Sequence, residues 1–129
     1  MKKFDWKNNE KVGTHLMKYS KKEEYQRSAI SRFYYSCFGP LKEYYEKSFR
    51  RTLSSKDAHS TLIKELQNSP FIEEQKLGIK LKNLRNMRNL ADYNPKSQKF
   101  PLNRSRKNVK EIFLILNSLK NHPLRLMKK

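Results

Sequence analysis

Apolar residues recur at every third or fourth position through most of this chain, which is the spacing of helices that bury one face. The clearest pattern predicts a long helix over about residues 23–49, with a wide apolar face that includes Phe33 and Leu41. Weaker patterns of the same kind flank it. They predict a short first helix between Phe4 and Tyr19, a third helix carrying Leu62, Ile63 and Leu66, a fourth from Pro70 to about Ala91, and a last one carrying Val109, Ile112, Phe113, Leu116 and Leu119.

Proline and glycine mark several predicted helix ends. Gly39-Pro40 predicts a kink or a short break in the long helix, because proline lacks the backbone N–H that a helix interior requires. Pro70 suits the first turn of the fourth helix, where that N–H has no partner in any case. Asn94-Pro95 ends the same helix, since the residue before a proline avoids helical angles.

Polar residues before the third helix offer capping groups. Ser54, Ser55 and Asp57 can accept hydrogen bonds from the free N–H groups of its first turn. We therefore expect the third helix to begin with a side-chain cap.

The remaining segments complete the predicted organisation. The basic stretch 96–107 is predicted to be a loop, and 124–129 a loose basic tail. Only three Gly and five Pro interrupt the chain, which favours long helices over a sandwich or barrel. The sequence thus predicts a single all-α domain over 1–129, an antiparallel bundle of four to five helices.

Charge changes the picture most. The chain has 30 Lys and Arg against 12 Asp and Glu, a formal net charge of +18. Such a charge attracts polyanions and speeds their encounter with the protein. Nucleic acid is the first partner class that it indicates, an acidic protein is the second, and simple solubility is the alternative.

Several other classes lose support. Cys37 is the single cysteine, so an intrachain disulfide and a cysteine-based zinc site are excluded. There is no Gly-rich phosphate loop and no nucleophile elbow, and the three scattered His lack paired ligand spacing, so neither a metal nor a cofactor is expected. The basic N-terminus lacks the apolar core of a signal peptide, and no apolar run could span a membrane, so we expect a cytoplasmic protein.

Two arginines interrupt the apolar pattern. Arg88 continues the apolar stripe of the fourth helix, and Arg27 lies within the apolar arc of the long helix. A guanidinium on a buried face needs an anionic partner or an opening into a cleft. The alternatives are a side chain whose head reaches water, or a structural ion pair with a residue such as Asp92 or Glu24.

Further polar residues surround Arg88 at helical spacing. Arg85, Asn89, Asp92 and Tyr93 crowd the same end of the fourth helix. Arginine forks match phosphate oxygens, and a tyrosine ring can stack on a base, so this cluster predicts a site for a phosphate and a base. His59, in Asp-Ala-His-Ser, is either a surface or capping residue or an acid–base group.

Three segments resemble the HEPN family of RNA-directed defence and toxin domains. They are RSAISRFYY at 27–35, Ala-His-Ser at 58–60, and LRNMRNLADY at 84–93, in the family's order. The opening Phe-Asp-Trp at 4–6 is also similar to one branch. The resemblance spans most of the chain.

The resemblance implies a helical bundle that forms a homodimer and brings the fourth-helix motifs together at a cleft. Many members are metal-independent endoribonucleases, either toxins of toxin–antitoxin pairs or anti-phage effectors. In the family motif an arginine holds the scissile phosphate, and a histidine four to six positions beyond it assists attack by the RNA 2′-hydroxyl. Arg88 and Asn89 match the arginine and its polar neighbour, and His59 on the adjacent third helix is a further catalytic candidate. The family's usual histidine after the Arg-Asn pair is absent, and Asp92 and Tyr93 occupy that stretch as the other catalytic candidates.

Other residues of the same motifs are candidates for binding nucleic acid. They are Arg27, Arg32, Arg85 and Asn89. Two alternatives to a nuclease stay open. One is a non-catalytic module that binds nucleic acid or a nucleotide, and the other is an interaction subunit paired with an acidic partner, such as a nucleotidyltransferase-like antitoxin.

Overall fold

The computed structural model describes residues 4–124, and within this range all regular secondary structure is helical, without strands. The predicted all-α bundle is therefore confirmed, with five helices in the described range. The helices are α1 (Asn8–Tyr19), α2 (Glu23–Phe49), α3 (Ala58–Gln67), α4 (Ile72–Tyr93) and α5 (Leu102–Asn121).

Helix α2 is the centre of the bundle. It packs against each of the other four helices, whereas α4 packs against α2, α3 and α5. Its apolar residues repeat at three and four positions and are almost fully buried, as Ala29, Phe33, Tyr34, Cys37 and Leu41 show. A helix surrounded on several sides needs such a wide apolar face, and this explains why the pattern for α2 is the clearest in the sequence.

The predicted break at Gly39-Pro40 is not found. Helix α2 continues through Pro40 as far as Phe49. Proline removes one backbone hydrogen bond, but Leu41 and Tyr45 extend the buried face beyond it. Packing of this face against the neighbouring helices offsets the lost bond.

The prediction of a loop over 96–107 was wrong in its second half. Helix α5 begins at Leu102, so the connection between α4 and α5 is 94–101, and only 96–101 of the predicted loop is outside a helix. Ser105 and Val109 lie on the buried face, and the intervening basic residues cover the other faces of the helix. The polar Ser105 hides the helical period in the sequence. Of the predicted loose tail, all but Leu124 lies outside the described residues.

Two predicted helix starts also need correction. Asp57 occupies the N-cap position of α3, but its side chain makes no capping hydrogen bond. Helix α4 begins at Ile72 rather than at Pro70. Ser69 explains the delay, because its Oγ accepts a hydrogen bond from the N–H of Phe71 and donates one to the buried Glu74 carboxylate at 2.6 Å. This exchange organises the turn before α4.

The segment before α1 is fixed against the middle of α2. The Trp6 ring lies directly on Gly39, where a β-carbon would overlap the indole. Among the described residues, no helix has the length and apolar character needed to cross a bilayer.

Candidate functional site

The guanidinium of Arg88 is the centre of the site. Its residue is only 9% exposed, so the arginine does lie on the buried face of α4. Nη1 donates to the hydroxyl of Tyr35 at 2.7 Å, and Nη2 donates to Oδ1 of Asn89 at 2.8 Å. Nε lies 3.9 Å from Oδ2 of Asp92 but has no hydrogen-bond partner within residues 4–124. The charge is therefore compensated by one carboxylate at ion-pair distance.

Three tyrosine rings surround this guanidinium. Its central carbon lies 5.2 Å from the ring centroid of Tyr34, 5.6 Å from that of Tyr35 and 5.9 Å from that of Tyr93. Such contacts stabilise a cation by about 0.5–2 kcal/mol each, more when water is excluded. Tyr34 is buried, whereas Tyr93 is 72% exposed. Arg88 thus lies at the boundary between the core and the surface.

His59 joins the same cluster from the first turn of α3. Its Nδ1 and the hydroxyl of Tyr34 share a hydrogen bond of 2.6 Å. Its ring stacks on Phe38, with 4.0 Å between centroids and an angle of 15° between planes. The consecutive helices α3 and α4 therefore bring His59 and Arg88 into contact with the same residue of α2, Tyr34.

The environment keeps this histidine neutral. Partial burial lowers the pKa of His59, and the positive charges of Arg88 and Arg85 lower it further. Burial raises the pKa of Tyr34 well above its usual range, so its phenol stays protonated. At neutral pH the pair is an uncharged imidazole bonded to an uncharged hydroxyl, beside two cations.

Arg85 supplies the second cation. It is partly buried on α4, one turn before Arg88, and its buried Nε has no hydrogen-bond partner in the described part of the chain. Its effect on the pKa of both Tyr34 and His59 shows that its charge acts on the same cluster. Two guanidinium groups at one site favour an anion.

The structure gives Arg27 a different environment. Its Nη1 donates to the backbone carbonyls of Ala91 at 2.9 Å and Asn94 at 2.7 Å, and its Nη2 to that of Lys96 at 2.8 Å. Its Nε donates to Oε2 of Glu23 at 2.7 Å. The guanidinium therefore holds the C-terminal end of α4 against α2, and its ion pair is with Glu23.

Arg32 lies at the surface of α2. It is exposed, and its Nη1 donates to the side-chain oxygen of Asn9 at 3.0 Å. Arg32 lines a groove that Tyr35 and Asp92 also line, so it borders the Arg88 cluster without belonging to it.

Sequence reasoning missed the aromatic residues of the site. Tyr34 and Phe38 read as ordinary members of the apolar face of α2, and Tyr35 only as part of the RSAISRFYY motif. Yet both tyrosines hydrogen-bond the functional candidates, and Phe38 stacks on His59. The only signal was that Tyr34 and Tyr35 end the RSAISRFYY motif and that Phe38 follows it. A tyrosine on a buried face needs a partner for its hydroxyl, and that need could have marked them.

Comparisons with known proteins add no relative. Neither a family model, nor a curated protein, nor a solved structure shows significant similarity to this chain. Within the described residues, no three His, Cys, Asp or Glu side chains come together as a metal site would require. The case for a function therefore depends on the geometry of the cluster.

Proposed function

We propose that this protein is an RNA-directed protein of HEPN type that cleaves RNA without a metal ion. The observation that supports this best is the convergence of two arginines and a neutral histidine on one aromatic cluster, in a chain with a net charge of +18. Cations bind a phosphate, and a neutral imidazole can accept a proton. An endoribonuclease needs both beside one phosphodiester.

The reaction that fits is internal transesterification. The RNA 2′-hydroxyl attacks the adjacent phosphorus, the bond from phosphorus to the 5′-oxygen breaks, and a 2′,3′-cyclic phosphate forms. The 2′-hydroxyl proton passes to His59, and the departing 5′-oxygen takes a proton from solvent water. Arg85 and Arg88 stabilise the additional negative charge on the phosphorane.

The contact with Tyr34 is compatible with either tautomer of His59, and the proposed reaction uses one of them. When Nδ1–H of His59 donates to the Tyr34 hydroxyl, Nε2 is left as the proton acceptor. His59 also lines a surface cavity with Trp6 and Lys42, so a ligand can reach the ring. Asp92, at ion-pair distance from Arg88, positions the guanidinium in this scheme.

One observation favours a second candidate, binding without cleavage. Both terminal nitrogens of Arg88 already donate to side chains, to Tyr35 and to Asn89. These bonds use two of the five N–H groups of the guanidinium and hold it in place, while the remaining N–H groups can still bind a phosphate. A non-catalytic module for nucleic acid or a nucleotide would fit that geometry.

The test separates the two candidates. A 5′-labelled single-stranded RNA is incubated with the protein and a chelator, and both binding and cleavage are measured. We expect His59→Gln to retain binding but to lose cleavage by about 10²–10⁴-fold, the usual contribution of an acid–base group. Binding without cleavage by the unaltered protein would support the second candidate.

A matched pair of variants controls for net charge. Arg85→Ala and Arg104→Ala each remove one positive charge, but Arg104 is exposed on α5, outside the cluster. We expect Arg85→Ala to weaken RNA binding much more than Arg104→Ala. Equal effects would mean that RNA binding depends only on the overall charge of the protein, which contradicts a site at Arg85 and Arg88.

The homodimer, the role in defence and the acidic antitoxin partner are further parts of the proposal. They come from the family resemblance, which implies that two copies place their fourth-helix motifs at one cleft. Light scattering of the purified protein would give the mass of the assembly. An acidic partner should compete with RNA, because both would neutralise the same basic surface.

A further inference from the structure

A groove opens directly beside the Arg88 cluster. It lies between the segment before α1, the helices α1 and α2, and the end of α4. Tyr35 and Asp92 line the groove and also contact or approach Arg88, so the two sites are continuous. The chemistry described above makes no use of this groove.

Two aromatic residues form one wall of the groove. Phe4 and Trp6 pack edge to face, with ring centroids 5.2 Å apart and an angle of 89° between planes. Trp6 is held against Gly39, whereas Phe4 is 60% exposed. The indole of Trp6 is therefore fixed, and it supports the exposed phenyl ring of Phe4. Exposed rings of this kind stack on unpaired bases.

The charges around the groove suit an uncharged ligand group, with an anionic group of the same ligand bound outside the groove. Arg27, whose guanidinium is paired with Glu23, and Arg32 line it, but so do the carboxylates of Glu24 and Asp92. These carboxylates repel a phosphate, while they accept hydrogen bonds from the amino groups of a base. Arg85 does not line the groove; its Nε has no hydrogen-bond partner within residues 4–124, and its charge lowers the pKa of His59 in the neighbouring cluster.

We propose that this groove binds an unpaired nucleobase next to the phosphate held at Arg85 and Arg88. This base-binding subsite rests on the proposed function and adds the substrate class, which is single-stranded RNA. Phe4 stacks on the base, and the carboxylate of Asp92 accepts a hydrogen bond from an amino group on the polar edge of the base. A base within a duplex is stacked and paired, so it cannot enter the groove.

Phe4→Ala tests the subsite. Affinity is measured by fluorescence anisotropy for a labelled 12-nucleotide single strand and for the same sequence as a blunt duplex. We expect Phe4→Ala to weaken single-strand binding by about 5- to 100-fold and to leave duplex binding unchanged. Leu114→Ala is the control, because Leu114 is also exposed and apolar but lies on α5, and it should change neither single-strand nor duplex binding. Equal losses for both RNAs, or no loss for either, would overturn the subsite.

Fluorescence gives a second readout. Trp6 is the single tryptophan of the chain, so its emission reports on the groove. Single-stranded RNA should change this emission at saturation and duplex RNA should not; an unchanged emission with both would count against the subsite.

Arg85→Ala separates the subsite from the function. If it weakens RNA binding while Phe4→Ala does not, the subsite fails and the proposed function stands. If the unaltered protein binds no RNA, both fail.

Discussion

Replacing Arg27 with alanine tests how the end of α4, which carries the candidate site, is held in place. The guanidinium donates to the carbonyls of Leu90, Ala91 and Asn94, and also to that of Lys96. A hydrogen bond to a charged group contributes about 1.5–3 kcal/mol, and a cation at a helix C-terminus adds about 0.3–1 kcal/mol. These contributions share one side chain and do not add in full, since water can reach part of the site.

We therefore expect Arg27→Ala to lower the free energy of unfolding by about 3 kcal/mol. For a chain of this size, with a slope of roughly 1.5 kcal/mol per molar urea, the unfolding midpoint should fall by about 2 M. Helical circular dichroism during urea denaturation measures this change. Arg27→Lys keeps the charge but lacks the forked guanidinium, so its unfolding midpoint should lie between those of the unaltered protein and Arg27→Ala.

Arg104→Ala is the matched control, because it removes an exposed arginine of α5. Its effect should stay within about 0.5 kcal/mol. If Arg27→Ala is no more destabilising than Arg104→Ala, the carbonyl contacts do not hold the end of α4. The reasoning that makes Arg27 a structural residue would then be refuted.

Two further predictions concern the other contacts that shape the site. Gly39→Ala places a β-carbon where the Trp6 ring lies, so the ring should move into water and its emission should shift to the red relative to the unaltered protein; an unchanged spectrum would contradict the packing. The lowered pKa of His59 means that the unfolded chain binds its proton more readily, so stability should fall as the pH drops below about 6.5 toward the folded-state pKa. Urea midpoints at pH 7.5 and 5.5 should differ less for His59→Gln than for the unaltered protein, and an equal difference would exclude this contribution.

The sequence predicted the helices best where packing leaves a regular pattern. Both ends of α2, Glu23 and Phe49, coincide with the prediction because its wide apolar face lies between neighbouring helices. The beginning of α5 was missed because Ser105 is buried where an apolar residue was expected. Buried polar residues of this kind depend on tertiary surroundings, which the local sequence does not reveal.

The same distinction applies to the site. Burial of Arg88 followed from its place in an apolar stripe. The partners of Arg27 could not be predicted from the sequence. They are backbone carbonyls, which every residue has, so no residue type marks them. The contact of His59 with Tyr34 required α3 to pack near α2, and only the fold supplies that.

The chemical groups at the ends of the RNA fragments show whether this protein cleaves RNA by metal-independent transesterification. Labelled single-stranded RNA is digested with the purified protein in the presence of a chelator, and the termini of the fragments are identified by mass spectrometry. We expect 2′,3′-cyclic phosphates with 5′-hydroxyl ends, and no such fragments with His59→Gln. Intact RNA, or fragments that end in a 3′-hydroxyl and a 5′-phosphate, would contradict it.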